Sequence, residues 1–378
     1  LYASSLFNFG SVDWTNQFLY NHRDTRTQGF RQFFPTIAGP GGYYLPIMPF
    51  PSNSDIKVDY YYLHTALDGG FGDSDWQWQV NAEHSRSDGT YATVGIDARV
   101  SGDLTLDANT LDTPPVDYYD PGFLSGSNMS QLVQAIGIYS KGRTTYDLST
   151  VNAVANGPLF SLPAGDVNAA FGVEYRHRKI NDQPSQASVN GWLWGSSSAQ
   201  VTKGSDHVTE AFAELGVPLL SDLPLVKSLS IDLSGRQFKY SSVGKSDSVW
   251  KYGLNWQLND MLRVRGTIGT SYRAPALYEL YLGNQTGFQS QINIDPCIDY
   301  ANSTNDFVKA NCAAAGIPSD YQGGGASATV VQGGGKGVLQ PETSRAKSLG
   351  IVFTPSDSTN LALDYFDYHI KGEIDTLD

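Results

Sequence analysis

The sequence has no run of about 18 consecutive apolar residues, the length that a helix needs to cross a bilayer, so a membrane-spanning helix is excluded. Charged residues are scarce, at 17%, and 25 Lys and Arg stand against 38 Asp and Glu, which gives a net charge of −13. Proteins that bind nucleic acids need a basic surface that displaces counterions from phosphate. We therefore expect no nucleic-acid partner.

The sequence motifs of enzymes are also missing. The six histidines are scattered singly, without a zinc-binding pair on a helix, and there is neither a nucleophile elbow nor a phosphate-binding loop. One acidic stretch could hold calcium, but it lacks the alternate-residue spacing of such sites. Its members are Asp103, Asp107, Asp112, Asp117 and Asp120. We expect no enzyme activity, no metal and no cofactor, although a catalytic pair assembled from distant strands would leave no motif.

Cysteine is nearly absent, and the two that occur, Cys297 and Cys312, lie in one polar stretch. We predict a disulfide between them, which indicates an oxidising compartment, with two free thiols as the alternative. Closing so short a loop would limit the freedom of the unfolded chain by roughly 3 kcal/mol. Asn305 or Asp306 is expected to cap a short helix inside the loop.

Runs of glycine flank this loop at 323–325 and 333–335. Glycine runs are too flexible to hold a shape by themselves. The interpretation is a disulfide-closed subloop on a mobile tether, suited to closing over a ligand, and simple loop stability is the alternative.

Alternation of apolar and polar residues is what the sequence has in abundance, and it is clearest between Val249 and Tyr272. Successive side chains of a strand point to opposite faces. Before a turn at residues 259–261, one face carries Trp250, Tyr252, Leu254, Trp256 and Leu258, and the other carries Lys251, Asn255 and Gln257. After it, one face carries Leu262, Val264, Ile268 and Tyr272, and the other carries Arg263, Arg265, Thr267, Ser271 and Arg273. This pattern predicts a membrane-spanning β-hairpin with a lipid face and an aqueous face.

The same period predicts about twelve antiparallel strands along the chain. They cover residues 1–8, 12–24, 56–68, 75–88, 142–155, 166–180, 204–217, 227–241, 248–258, 262–274, 343–354 and 359–371. Short connections alternate with longer ones near 25–55, 89–141, 181–203 and 275–342. The one exception is 242–247, a short connection at the end of the sheet that carries the long ones. Outer-membrane barrels have short periplasmic turns and long extracellular loops, with aromatic girdles at both interfaces. A soluble β core rich in Tyr is the alternative.

Several motifs resemble the barrel of TonB-dependent outer-membrane receptors. Three of them follow one another along the chain: GTSYRAPALYELY at 269–281, DPC at 295–297 and LQPETS at 339–344. Two earlier stretches, VEYR at 173–176 and FAELGVPLLSD at 212–222, are also similar to that family. The resemblance covers residues 140–378 well and 1–140 more loosely. It implies a transmembrane β-barrel of roughly 22 strands in the bacterial outer membrane, normally filled by a plug domain.

The resemblance also implies import of a scarce nutrient, such as a ferric siderophore, a saccharide or cobalamin, with energy from the TonB complex. We interpret residues 1–378 as an interior portion of such a barrel. The N-terminal signal, the plug and the final C-terminal strands are expected to be absent. The expected partners are outer-membrane lipid, the nutrient, and TonB through the absent N-terminal region.

Candidate site residues follow from positions near the strand ends and in the long loops. The family motifs suggest loop anchors at Arg273, Pro275, Glu279, Pro341 and Glu342. An Arg273–Glu279 pair is one interpretation and a solvated turn is the other. Exposed aromatic rings in loops suit sugars or siderophore rings, and the candidates are Tyr43, Tyr44, Tyr118, Tyr119, Trp192 and Trp194.

Two functions compete with import. A passive or adhesive outer-membrane barrel would have no plug or TonB box upstream. A soluble secreted β-sandwich that binds a ligand would be purified without detergent.

Overall fold

One antiparallel sheet of twelve strands dominates the computed structural model, which describes residues 1–39, 42–101, 116–244, 246–323 and 327–375. Every strand pairs with its neighbours in chain order. The strands are β1 (Tyr2–Asn8), β2 (Val12–Thr27), β3 (Ser54–Gly70), β4 (Gln77–Ile96), β5 (Gly137–Leu162), β6 (Gly165–Gln183), β7 (Thr202–Leu223), β8 (Val226–Tyr240), β9 (Ser246–Gln257), β10 (Leu262–Arg273), β11 (Glu342–Ser356) and β12 (Thr359–Lys371). This arrangement confirms the predicted antiparallel barrel strands. It also excludes the alternative fold of a β-sandwich, because these twelve strands form one sheet and do not divide into two packed sheets.

The connections alternate in length as predicted, with short turns at one end of the sheet and long loops at the other. The strands extend further toward the long loops than expected: β4 continues to Ile96 and β5 begins at Gly137. In this region both faces carry polar residues, so the alternation that reveals a strand fades although the backbone ladder continues.

The long loops contain short elements. The helices are α1 (Ala98–Ser101), α2 (Pro121–Leu124), α3 (Met129–Ile136), α4 (Gln186–Val189), α5 (Leu277–Tyr281), α6 (Gln291–Ile294) and α7 (Asp306–Ala314), with a 3-10 turn at Tyr300–Asn302. Short strand pairs join Phe30–Phe33 to Met48–Pro51, Ile37–Gly39 to Gly42–Tyr44, and Gln285–Ser290 to Ser327–Gln332. None of the helices in the described segments is long and apolar enough to cross a bilayer.

One face of the sheet is apolar and open to its surroundings. A single register row across five neighbouring strands consists of Leu229, Trp256, Val264, Ile351 and Leu363. On the same face the exposed fraction is 42% for Leu254, 50% for Tyr252 and 56% for Val173. Apolar side chains that remain exposed in rows across a whole sheet are typical of a surface that contacts lipid.

The opposite face is polar, and two of its carboxylates near the long loops are buried. Glu210 and Asp206 are almost completely buried, as is the Thr150 hydroxyl group. Neighbouring side chains pair across strands, as in the 2.8 Å hydrogen bond from the Asn81 amide to the Asn152 amide oxygen. In a soluble protein apolar side chains are buried and carboxylates are exposed. Here apolar rows are exposed and the carboxylates of Asp206 and Glu210 are buried, which identifies the polar face as the lining of a barrel.

Tyr272 departs from the alternation. The sequence places its ring on the apolar face with Ile268, but the structure stacks it on Phe238 of the polar face, with ring centroids 3.6 Å apart. The pairing of β9 with β10 ends at Lys251 and Gly269, and beyond it the Trp250 amide donates to the Thr270 hydroxyl group. Because the strands separate there, the ring can cross to the polar side, and the predicted face for Tyr272 is wrong.

The long loops enclose a hydrophobic core of their own, which we call the loop core. Three loops and the adjoining strand end contribute to it. Its buried members are Phe33, Met48, Phe50, Ile96, Ala98, Tyr118, Phe123, Leu132, Ile136 and Trp194. The described parts of these three loops are therefore joined into one packed body beyond the strand ends.

Candidate functional site

A charged network lies on the polar face where β6, β7 and β8 approach the long loops. The fully buried Glu210 carboxylate accepts hydrogen bonds from Arg176 at 3.3 Å, from Arg236 at 2.7 Å and from the Tyr272 hydroxyl group at 3.0 Å. Strand register places these side chains together. Glu210 lies opposite Phe238, two residues from Arg236 on β8, and Arg176 on β6 lies opposite Val208, two residues from Glu210 on β7. A buried carboxylate is stable only with such partners.

A second buried carboxylate, Asp206, ties the same region to the short loop after β8. It accepts a hydrogen bond from Arg178 at 3.1 Å. Its other oxygen accepts from the Ser241 hydroxyl group at 2.7 Å and from the Ser242 amide at 2.9 Å. The polar wall and this loop are thus held as one unit at the mouth of the lumen.

The largest loop, residues 274–341, is held at its base by the predicted anchor residues. Arg273 donates to both oxygens of Glu279 at 3.0 Å and to Glu342 at 2.6 Å. Glu279 also accepts from the Ala276 amide at 2.6 Å, so it caps α5. Pro275 and Pro341 flank the loop where a strand ladder ends, positions at which the missing N–H of proline costs no hydrogen bond. The arginine therefore joins the entry and the exit of the loop.

Cys297 and Cys312 form a disulfide, and their Cα atoms are 5.6 Å apart. It closes the subloop around α7, whose N-cap is Asn305: its side chain accepts from the Phe307 amide at 3.0 Å and from the Val308 amide at 3.4 Å. Both the disulfide and the capped helix were predicted from the sequence.

Asp295 organises the start of the subloop. Its carboxylate accepts hydrogen bonds from the Cys297 amide at 2.9 Å, from Gln291 at 3.1 Å and from the Tyr321 hydroxyl group at 3.2 Å. These hydrogen bonds, that of the Cys297 amide first, lower the pKa of Asp295, because each favours the charged form.

The glycine run at 333–335 makes backbone hydrogen bonds to the base of the loop, although a glycine run was not expected to hold a shape by itself. The Gly334 amide donates to the Leu282 carbonyl at 2.9 Å and the Gly335 amide donates to the Glu279 carbonyl at 2.8 Å. A Cβ atom on Gly334 would come within 2.4 Å of the Leu280 carbonyl oxygen, so only glycine permits this approach. Of the other run, Gly324 and Gly325 lie outside the described residues.

Two predicted ligand-binding rings are packed inside the loop core. Tyr118 is fully buried and its hydroxyl group donates to the Ser101 carbonyl at 3.0 Å, and its burial raises the pKa of the phenol. Trp194 is 7% exposed and makes edge contacts with Phe33 and Phe34 at centroid distances of 5.0 and 4.8 Å. Both rings hold loops together and present no surface to a ligand.

The other predicted rings are more accessible. Tyr119 is exposed, and Tyr44 is exposed in a short hairpin whose neighbouring residue Tyr43 has its side chain outside the described part. Trp192 is half-buried beneath the Arg99 guanidinium, 3.8 Å from its ring centroid. Asp97 receives two hydrogen bonds from the Arg99 side chain, which lower the pKa of Asp97 and raise that of Arg99.

No cluster of side chains suited to a metal ion occurs in the segments that the structure describes. Of the acidic stretch considered for calcium, Asp103, Asp107 and Asp112 lie outside those segments, and Asp117 and Asp120 are within them. Both of the latter bind backbone amides of their own turns: Asp117 binds that of Tyr119 and Asp120 that of Gly122.

Sequence reasoning missed the network around Glu210. The signal was available, since Arg176, Glu210 and Arg236 each stand on the polar parity of a predicted strand. A single strand does not show that they meet, because the meeting depends on the register of three strands.

The geometry can be compared with known proteins. The sequence profile of one family, described as TonB dependent receptor-like, beta-barrel, matches residues 6–378. No curated protein is significantly similar to the chain. The fold is similar to that of P. aeruginosa FpvA bound to heterologous pyoverdines, with a TM-score of 0.53 at 12% identity over 98% of this chain and 41% of that one. It is also similar to FpvAI in its complex with pyocin S2, with a TM-score of 0.52 at 12% identity over 98% of this chain and 40% of that one. The chain thus spans less than half the length of these proteins.

Proposed function

The chain belongs to the TonB-dependent receptor-like β-barrel family, and on this premise we propose that it is part of an outer-membrane receptor. It captures a scarce nutrient at its extracellular loops, and the nutrient enters with energy from the TonB complex. The nutrient is a ferric siderophore, a saccharide or cobalamin. Residues 1–378 supply one portion of the barrel, and other parts of the receptor supply the plug and the remaining strands.

The observation that carries this proposal is the reversed burial of the sheet. Apolar rows such as that of Leu229 and Trp256 face outward, and the carboxylates of Glu210 and Asp206 are buried on the polar face. A lining built of fixed ion pairs suits an aqueous lumen that holds a plug or a polar solute. All the long loops stand at the end of the sheet where this network lies, which is the end at which a nutrient would arrive.

The loops supply two kinds of surface for capture. Tyr44 and Tyr119 expose their rings, and Trp192 exposes part of its ring beside Arg99. An aromatic ring next to a cation suits a sugar or an anionic aromatic ligand. Tyr118 and Trp194 are left out of the proposed contacts, because the loop core buries them.

The disulfide subloop is proposed as a rigid unit that moves over the captured nutrient. It is rigid internally because of the disulfide and the Asn305 cap. The Arg273 ion pairs hold the base of the same loop, so movement would occur between the anchor and the subloop.

Uptake in whole cells tests the proposal. A strain lacking the gene would be complemented with the full-length protein and supplied with a labelled ferric siderophore, cobalamin or an oligosaccharide. We expect energy-dependent uptake of one of these, abolished by a protonophore. The double substitution Tyr44→Ala and Tyr119→Ala should weaken binding of the same nutrient, whereas Tyr139→Ala, on an exposed ring of the outward wall, should not.

Two outcomes would overturn the proposal. Uptake that persists with the protonophore and scales with outside concentration would indicate a passive barrel. Surface adhesion without uptake of any of these nutrients would indicate an adhesin.

A further inference from the structure

One strand of the longest loop has an unpaired edge. The strand Ser327–Gln332, which we call the edge strand, pairs on one side with Gln285–Ser290. No other strand of the described segments lies along its second side. An unpaired edge presents a row of backbone N–H and C=O groups, and such a row is a template for pairing with another chain.

The hydrogen bonds of the partner strand show that the edge strand is outermost. The Thr286 amide donates to the Ser198 carbonyl at 2.9 Å. The Gln200 amide donates to the Asn284 carbonyl at 3.0 Å. Residues 284–286 are therefore held on one side by the loop before β7 and on the other side by the edge strand.

Strand register shows which backbone groups of the edge strand point outward. In an antiparallel pair, residues that bond to the partner strand alternate with residues that point away from it. The Thr286 amide points to Ser198, so Val331, which lies opposite Thr286, points its own N–H and C=O groups away from the pair. Thr329 is two residues away along the same strand and does the same. The backbone groups of Thr329 and Val331 are therefore open to an added strand.

The edge strand lacks the features that prevent such pairing. Natural edge strands are blunted by charged residues, proline or bulges. The edge strand reads SATVVQ, with no charged residue and no proline, and three of its six residues are β-branched. By contrast, the strand Met48–Pro51 in the loop core also belongs to a two-stranded pair, and proline occupies two of its four positions. One loop edge is thus protected and the other is open.

Apolar side chains lie beside the open edge. Phe288 lies opposite Thr329, two residues from Val331, so Phe288 and Val331 share one face of the hairpin. Their exposed fractions are 58% and 65%. Alternate side chains of an added strand would point to the same face and cover both residues.

A cavity of about 510 Å³ opens at the end of the edge strand. Its apolar lining residues include Tyr278, Leu282, Val331 and Leu339. Its two charged lining residues, Glu279 and Asp375, are both acidic. A cavity of this volume accommodates a large apolar side chain, and the carboxylates favour a cationic group beside it.

We propose that the edge strand binds an extended peptide by strand addition. The peptide backbone pairs with the free groups of Thr329 and Val331, and one apolar side chain enters the cavity. A cationic residue of the peptide lies near Glu279 and Asp375. The edge strand is six residues long, which corresponds to about 20 Å, so it pairs with a segment of about six residues. The inference rests on the extracellular position of the loop within the proposed function but not on the nutrient.

Backbone methylation of a probe peptide tests strand addition. The purified full-length protein in phosphatidylcholine nanodiscs would be titrated with a fluorescent hexapeptide of sequence TVFVTK. Two further hexapeptides carry backbone N-methyl groups at the odd or at the even positions, and only one of the two can turn its methyl groups away from the edge. We expect that peptide to bind as the unmodified one does, and the other to bind at least about tenfold more weakly, because its hydrogen bonds to the edge are lost.

The variant Val331→Pro tests the same edge from the protein side. Proline removes the outward N–H group and places its ring there, and the hairpin loses no hydrogen bond because that amide points away from Gln285–Ser290. The affinity for the unmodified hexapeptide should fall by about tenfold or more. Val331→Thr is the matched control, since it keeps the N–H group and the β-branched shape, and its affinity should stay within about twofold. Both variants should keep the disulfide and the heat-dependent gel mobility of a folded barrel.

Equal affinity of the two methylated peptides would overturn the proposal, and so would unchanged affinity of Val331→Pro. Self-association of the protein without peptide, abolished by Val331→Pro, would also overturn it, in favour of a second copy of the chain at this edge. The titration contains neither nutrient nor TonB, so its failure leaves the proposed uptake standing. Peptide binding as expected, in a protein that takes up none of the nutrients, would contradict the proposed function alone.

Discussion

The Tyr272 hydroxyl group donates a 3.0 Å hydrogen bond to Glu210 while its ring stacks on Phe238. Tyr272 belongs to β10, whereas Phe238 and Glu210 belong to β8 and β7, so the side chain passes across β9. This contact connects the base of the longest loop with the buried charges of the lumen wall. A shift of that loop would therefore change the hydrogen bond between Tyr272 and Glu210.

Replacement of Glu210 by Ala should destabilise the full-length barrel by about 1.5–3 kcal/mol, because it removes the carboxylate that pairs with Arg236 and leaves Arg176 with Glu174 alone. The lower part of the range allows for the partial exposure of both arginines. The free energy of unfolding in urea from lipid vesicles measures it. Glu210→Gln should cost less, since the amide oxygen still accepts from Tyr272. Equal stability of Glu210→Ala and the unmodified protein would show that the network contributes nothing.

Arginine at Leu254 or Leu233 should cost about 2–4 kcal/mol in the same measurement, because it places a cation in hydrocarbon near the bilayer midplane. Ser234→Arg is the control. Ser234 follows Leu233 in the sequence but lies on the polar face, where it pairs with Glu214 and Lys251. A cost below roughly half a kcal/mol at both leucines would contradict the lipid-facing assignment.

The disulfide should protect the subloop and not the sheet. A thiol-labelling reagent should modify Cys297 and Cys312 only after reduction. Replacing both by Ser should expose residues 298–311 to protease, because a constraint of roughly 3 kcal/mol on the unfolded subloop is lost. The strands should resist cleavage in both forms. Labelling without a reductant would refute the bond.

Acid should loosen the same subloop through Asp295. The folded-state pKa of this carboxyl group is lowered, so its contribution to stability is present above the unfolded pKa of about 3.9 and is lost as the pH falls through the folded value. Hydrogen exchange of residues 291–321, with labelling times scaled to the intrinsic rate, should be constant between pH 7 and 5 and faster below about pH 4. Asp295→Asn should exchange fast at every pH. A protein whose exchange in this segment is the same at pH 3 and pH 6 would contradict the assignment.

Loss of the Arg273 side chain should release the base of the longest loop. Arg273→Ala removes the ion pairs with Glu279 and Glu342, and we expect faster proteolysis within 274–341 and weaker nutrient binding. The stability of the sheet should fall by no more than about 1 kcal/mol, because these pairs are partly exposed. Arg345→Ala is the control: Arg345 is exposed on the next strand and forms no ion pair within the described segments. Equal proteolysis of the two variants would contradict an anchoring role.

Much of the fold was predictable because its signals are local. A strand with one face in lipid must alternate with a period of two, so residues 248–258 and 262–274 reveal their hairpin without knowledge of any other strand. The Asn305 cap also depends only on residues next to it. The aromatic candidates were less predictable, because Tyr118 and Tyr119 are neighbours of the same chemical type and only the packing of three loops buries the first and exposes the second.

The sequence by itself determined the number and order of the strands, the end of the sheet that carries the long loops, and the disulfide, since each depends on a short stretch of chain. Only the tertiary structure decided which charges meet. Register between strands brought Arg236 to Glu210 on the inner wall and Arg143 to Asp88 on the outer wall. The physical reason is that alternation fixes the face of a residue, whereas its partners depend on how far each strand is shifted along its neighbours.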